Sequence, residues 1–203
     1  MNRNELRRAW DTVAETYATQ RDPDGSDAAL IDELLASLPA DPTVLDIGPC
    51  DGARTLANLP PGSIGVDISR DALELAAERV PESVLLQGDM STLPLAADSV
   101  DGITAYHAVF HVPRSEHPEV YREFARVMRP GGWLLMTLPA GQFETTRRGW
   151  MGGSMFFSAP GRDRTLAQLR EAGFTELRTE TADDPLGSST EFVFARLGPD
   201  RLA

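Results

Sequence analysis

Two carboxylates at the ends of short apolar runs, with a glycine turn between them, are the residues of this chain best spaced for ligand chemistry. Val44-Leu45-Asp46-Ile47 leads into Gly48-Pro49-Cys50-Asp51-Gly52, and Ser63-Ile64-Gly65-Val66 ends at Asp67, nineteen positions after Gly48. A strand, a turn, a helix and a second strand closed by an acid can cradle a nucleotide-like ligand, the second acid gripping ribose hydroxyls. Glycine turns tightly and lets a ligand approach the backbone. A helical pattern from Ala53 to Leu59 follows the turn, and a helix N-terminus there favours a carboxylate or phosphate. Asp67 has a second role open to it, as a cap for the helix after Ser69.

The other chemistry-bearing side chains are sparser. His107 and His111 are spaced to share one face of a helix, but no carboxylate or cysteine joins them and His117 at metal-ligand spacing, so no metal is expected. His107 is a candidate acid–base group on the acceptor side, because an imidazole titrates near neutral pH. Cys50 has no evident partner to activate a thiolate and reads as a glycine substitute in a crowded loop. The proline-glycine-glycine turn at Pro130–Gly132 reads as structural. Arg147 to Phe157 gathers Trp150, Met151, Met155, Phe156 and Phe157 among glycines. Glycines on that scale weaken regular structure, and the segment reads as a mobile apolar lid over a substrate.

Elements that could position these groups follow from periodicity. Leu6, Trp10, Val13, Ala14 and Tyr17 recur at helical spacing before a break at Asp22-Pro23-Asp24-Gly25, and a second amphipathic stretch runs from Asp27 to Leu38. Apolar runs at 43–47, 63–67, 84–87, 100–105 and 133–138 then alternate with helical stretches at 70–79 and 116–128. Such alternation predicts an α/β fold, a doubly wound parallel sheet with helices on both faces. After a helix at 164–172, runs at 175–181 and 190–197 flank a polar connection without helical periodicity, which predicts an antiparallel hairpin.

The chain has 203 residues, enough for one domain with one large core. It holds 31 acids against 19 bases, no lysine, and a net charge of −12. That balance opposes phosphate backbones, so nucleic acid is an unsuitable partner. An acidic, lysine-free surface suits a high-salt cytoplasm, where screening is strong. One cysteine fits a reducing compartment, no apolar run reaches membrane-spanning length, and Asn2-Arg3-Asn4-Glu5 does not resemble a signal peptide. A cytoplasmic protein with no membrane partner is expected, its oligomeric state open.

Taken together, these motifs resemble the small-molecule, type 11-like group of class I S-adenosylmethionine-dependent methyltransferases. Asp46 with Gly48-x-Cys50-x-Gly52 is similar to the family's first motif, with Cys50 in place of its middle glycine. Gly65-Val66-Asp67-Ile68, Gln87-Gly88-Asp89-Met90, Val100–His107 and Arg126–Gly132 follow in the family's order. The resemblance implies a Rossmann-like, seven-stranded sheet with a reversed last strand, and S-adenosylmethionine as cofactor. It implies that Asp67 bonds the ribose hydroxyls, Ile68 packs on adenine, Asp89 accepts from its amine, and Met90 covers the ring. Asp46 orders the glycine loop and faces the ligand's ammonium, while Ala105 and Tyr106 meet the methionine end. Tyr17 and Arg21 reach the carboxylate.

His111 corresponds to a histidine common in the family and reads as structural. His107, Trp150, Met151, Met155 and Phe156 are then expected around a small, partly apolar acceptor. Residues 1–203 form a single domain on this reading, with 1–38 as a helical lid and 139–163 as an acceptor-side insertion. Two rivals stay open. One is a non-catalytic S-adenosylmethionine-binding module. The other is a nicotinamide-dinucleotide oxidoreductase, although Gly48-x-x-x-Gly52 departs from its G-x-G-x-x-G spacing.

Overall fold

A computed structural model describes residues 2–20, 25–26, 28–183 and 189–199. Arg21, Asp27, the expected break at 22–24 and most of the 182–189 connection lie outside the described residues. Helices α1 (Arg3–Gln20) and α2 (Ala28–Ala36) precede β1 (Val44–Ile47), β2 (Ile64–Asp67), α3 (Arg70–Arg79), β3 (Val84–Gln87) and β4 (Val100–Ala105). Then come α4 (His117–Val127), β5 (Met128–Thr137), β6 (Gln142–Trp150), β7 (Gly153–Pro160), α5 (Arg162–Glu171), β8 (Phe174–Asp183) and β9 (Ser189–Leu197).

Seven strands form one sheet in the order β3-β2-β1-β4-β5-β9-β8. Strands β1 to β5 pair in parallel, and β9 runs antiparallel to both neighbours, as the hairpin pattern predicts. Short apolar runs such as Val44–Ile47 are wholly buried because helices cover both faces. On one face Val120, Phe124 and Val127 of α4 pack with Leu45, Ile103 and Leu134. On the other, Ile31 and Leu34 of α2 pack with Val44, Leu135, Phe192 and Phe194.

Two local expectations are corrected. The helix expected over Ala53–Leu59 is absent: the segment turns, with only a three-residue 3-10 turn at Leu56–Asn58. Asp46 accepts a hydrogen bond from the Thr55 hydroxyl, Ala57 N–H bonds back to Gly52 O, and Pro60-Pro61 follows at once. Too few residues remain to repay helix nucleation, so no helix terminus awaits an anion there. Nor is Arg147–Phe157 irregular. It forms most of an antiparallel hairpin, β6–β7, with the glycines at 149, 152 and 153 collected at its turn.

Candidate active site

The sheet order reverses between β1 and β4, and their C-terminal ends open into a cavity whose empty space, with its open mouth included, is about 610 Å³. Ligands of open α/β sheets bind at such a switch point. The floor comprises Gly48, Cys50, Asp67, Ile68, Gly88, Asp89 and Met90; Tyr106, His107, Ala108, His111 and Val112 form one wall. Helix α1 adds Arg3, Leu6, Trp10 and Tyr17 to the lining, with Trp10 against the His111 ring at 4.9 Å between centres. A smaller space of about 410 Å³ adjoins it across the glycine turn, sharing Tyr17, Gly48, Cys50, Tyr106 and His107.

The turn is built to let something approach. Gly48 has φ +69°, and a Cβ there would stand 3.0 Å from that of Ala108. Cys50 adopts φ +52°, the left-handed region its glycine-like position demands. That conformation aims the Cys50 N–H at Asp67 Oδ2, 3.2 Å away, while Ser69 N–H donates to Oδ1 at 2.8 Å. Ser69 in turn caps α3 by accepting from Ala72 N–H at 3.1 Å, and its hydroxyl donates to Asp11 of α1. Asp67 therefore organises the start of α3 and faces the cavity at once. Burial pushes its pKa up to about 6, against the pull of the amides that bond it.

Asp46 stands behind the turn rather than on the cavity wall. Its two oxygens accept from the Thr55 and Thr104 hydroxyls, and burial raises its pKa to about 6. It ties the post-turn segment to β4. Gly52 likewise faces inward, toward Ala76 of α3 and Val80 just beyond its end, and Ala105 is buried in β4. Asp89 is on the floor, where Oδ1 accepts from Ser91 and Oδ2 pairs with the Arg3 guanidinium at 2.5 Å. Arg3 also reaches Glu116, also at 2.5 Å, and so fastens the start of α1 over this end of the cavity. Sequence reasoning missed Arg3. Its signal was present, since Arg3, Leu6, Trp10 and Tyr17 lie along one helical stripe.

The hairpin residues expected at the acceptor are displaced one layer outward. Trp150, Met151, Met155 and Phe156 do not line the cavity. Met155 is buried with Leu6 and Val13, and Trp150 and Met151 pack on the same cluster. Trp150 lies 5.8 Å from both Trp10 and Tyr17, ring centre to ring centre, so the hairpin braces α1 from behind. Phe156 contributes its carbonyl, which meets His111 Nδ1 at 2.9 Å. His107, at the end of β4, borders both spaces, and its N–H donates to the Thr137 hydroxyl at 2.8 Å. Among the described residues no group of three His, Cys, Asp or Glu side chains could hold a metal, and no helix is long and apolar enough to cross a membrane.

Comparisons with known proteins bear on this geometry. Residues 45–136 match the model of a methyltransferase domain. The chain is 32% identical over 194 residues to 27-O-demethylrifamycin SV methyltransferase of Amycolatopsis mediterranei, covering 86% of this chain and 66% of that protein. It is 35% identical over 148 residues to methyltransferase GfsG of Streptomyces halstedii, covering 64% of this chain and 52% of the relative. The chain thus spans about two thirds and about half of these relatives' lengths. In fold it matches a crystal structure of an S-adenosylmethionine-dependent methyltransferase from Methanosarcina mazei, with TM-score 0.69, 18% identity, and 83% and 98% of the two chains covered.

Proposed function

The chain belongs to the S-adenosylmethionine-dependent methyltransferases, and on that premise we propose that it methylates a small, partly apolar acceptor by in-line displacement. One observation carries the reading: a glycine-cradled turn, a buried carboxylate at the end of β2 and an apolar wall meet in a single cavity.

The residues present fit the cofactor. The space beside Gly48 is one a side chain would fill, Asp67 keeps lone pairs for two ribose hydroxyls beyond the amides it accepts, and Ile68 and Met90 offer apolar faces to a flat ring. When bound, S-adenosylmethionine supplies an electrophilic methyl group on a sulfonium. Asp67 holds the ribose, Asp89 and Met90 the adenine edge and face, and Tyr17 with the Gly48–Cys50 turn the amino-acid end. Helix α1 serves as a lid held shut by Arg3 and by the ring cluster around Trp10. Tyr106 meets the methionine end, and His107 the acceptor.

Alignment of two bound reactants and exclusion of water can supply most of the acceleration, which suits a site with legible binding residues and no triad. The apolar wall favours an acceptor with a hydrophobic frame. A net charge of −12 opposes nucleic acid, and we assign the lysine-free composition to a high-salt cytoplasm. Calorimetric titration with S-adenosylmethionine, S-adenosylhomocysteine and NAD tests the reading. Saturable micromolar binding of the first two and none of NAD supports it; binding of NAD alone overturns it.

A further inference from the structure

We propose that the free edge of β6 pairs with β6 of a second copy of this chain, antiparallel and about a two-fold axis, to make a dimer. Strand β6 belongs to a sheet of two strands, so β7 takes one of its edges and, among the described residues, no strand takes the other. Residues 142–149 are all exposed. An open row of N–H and C=O groups is a template for another strand, and natural edges are blunted with proline, lysine or a bulge. From Gln142 to Arg148 this edge has none of them, and its bulge comes only at the end, by Gly149. Phe143 of β6 is also one of two large apolar side chains left exposed among the described residues, the other being Val84.

The charges on the strand select the occupant. The chain carries a net −12, so two copies repel wherever acidic faces meet. β6 is an exception, with Arg147 and Arg148 against Glu144. Alternate residues of the strand turn their N–H and C=O away from β7, so a two-fold axis passes through a residue rather than between two. An axis at Glu144, Arg147 or Arg148 sets like charges face to face, which disfavours pairing. An axis at Thr145 sets Glu144 against Thr146. An axis at Thr146 sets Glu144 of each copy opposite Arg148 of the other, and symmetry makes the favourable pair twice. Just beyond it, Phe143 comes opposite Gly149 of the second copy, a ring across from a glycine that leaves it room. Charges that would turn away most other strands thus accept this strand itself, in one register.

Both members of that ion pair are open to it. Glu144 leans on Arg114 at 3.4 Å and keeps 46% of its side chain exposed. Arg148 is exposed and makes no ion pair among the described residues. Arg147 lies over the Phe157 ring, 4.9 Å from its centre, on the face opposite to Glu144, Thr146 and Arg148. Pairing joins the two hairpins into a sheet of order β7-β6-β6-β7. Neither cavity is lined by β6, so the dimer stands apart from the methyl-transfer reading.

Sedimentation velocity from micromolar to submillimolar protein, at physiological ionic strength, measures the association. The parent is expected to pass from monomer to dimer within that range, as suits a small interface. Glu144→Arg sets arginine against arginine at both ends and should weaken the dimer about tenfold or more. Adding Arg148→Glu to the same chain opposes unlike charges again and should restore the parent's dissociation constant, which misfolding would not. Thr146→Cys brings two thiols directly opposite, within disulfide reach, and should crosslink on mild oxidation; Thr145→Cys sets them on a diagonal beyond that reach. Cys50 is buried, so the parent is the control that does not crosslink. A parent that stays monomeric throughout, a dimer indifferent to Glu144→Arg, or a crosslink through position 145 in preference to 146 overturns the pairing.

Discussion

The backbone N–H of Cys50 donates to Asp67 Oδ2 across 3.2 Å, so the residue that interrupts the glycine turn also steadies the carboxylate beneath the cavity. The bond exists because Cys50 accepts φ +52°. An L-residue held there costs about 1–2 kcal/mol, and the fold bears it at the site where the orientation of Asp67 matters.

Substitutions at Cys50 separate conformation from side chain. Cys50→Gly relieves the left-handed strain and loses a small buried side chain, two effects of opposite sign and about 1 kcal/mol each. Its melting temperature and S-adenosylhomocysteine affinity are expected to stay close to the parent's. Cys50→Val puts a β-branched residue at the same φ and is expected to lower stability by about 2 kcal/mol and weaken binding. Thermal denaturation and calorimetry on both variants decide it, and a glycine variant that no longer binds removes the loop argument.

Asp67 is expected to make cofactor affinity depend on pH. Burial raises its pKa to about 6 in the free protein, and hydroxyl donors prefer the carboxylate over the acid. Affinity for S-adenosylhomocysteine is therefore constant above pH 7 and falls below about pH 6, approaching tenfold per unit. Asp67→Asn should bind weakly at every pH, with that dependence gone. A parent affinity that is flat from pH 7 to 5 contradicts the ribose assignment.

Much of this was visible in the sequence because the sheet advertises itself. Apolar runs such as Val44–Ile47 and Ile64–Asp67 are bounded by turn residues, and the aperiodic stretch after Asp183 marks the terminal hairpin. Where a long-range partner decides, local pattern fails. Thr55 forgoes a helix in a turn where its hydroxyl reaches Asp46, and the glycines at 149 and 152 make a hairpin turn because Met155 and Phe157 have α1 to pack on. Arg3 shows the same limit: its place on the helical stripe was legible, but its meaning comes from Asp89 and Glu116, which only the fold brings to it.

Opposed titrations should flatten the pH dependence of stability. Asp46 and Asp67 rise from 3.8 to about 6, so each stabilises the fold at low pH and loses that contribution as pH climbs through 6. His111 and His117 fall from 6.5 to about 4, so each contributes above pH 6.5 and loses it as pH drops through 4. Between about pH 4.5 and 6 the folded chain binds two protons on the acids and the unfolded chain two on the histidines, and the slopes cancel. In Asp46→Asn one acid is gone and stability should rise with pH by about 1.4 kcal/mol per unit in that window. Urea unfolding across the window measures it; a parent slope as steep as the variant's refutes the cancellation.

Salt should stabilise the protein. With a net charge of −12, screening relieves self-repulsion. Relief of about 1–2 kcal/mol between dilute buffer and molar potassium chloride would raise the melting temperature by roughly 2–8 °C for a chain of this size. A melting temperature unchanged by salt would leave the acidic composition without the high-salt role assigned to it.

Trp150 ties the hairpin to α1, and its removal distinguishes bracing from acceptor contact. Its ring lies 5.8 Å from Trp10 and Tyr17 and 5.5 Å from Phe157, and it does not touch the cavity. Trp150→Ala withdraws the outer support of two α1 residues that do line it. A large-to-small change at a partly buried site of this kind costs about 2–3 kcal/mol. The loss should be concentrated in α1, whose amides over Arg3–Gln20 are expected to exchange hydrogen faster while those of β1 and β4 keep their protection. Because α1 supplies Tyr17 and Arg3 to the cavity, S-adenosylhomocysteine affinity should fall along with any turnover. Had Trp150 met only the acceptor, affinity and exchange would be unchanged and turnover alone would suffer, and hydrogen exchange followed by mass spectrometry, with calorimetry beside it, separates the two.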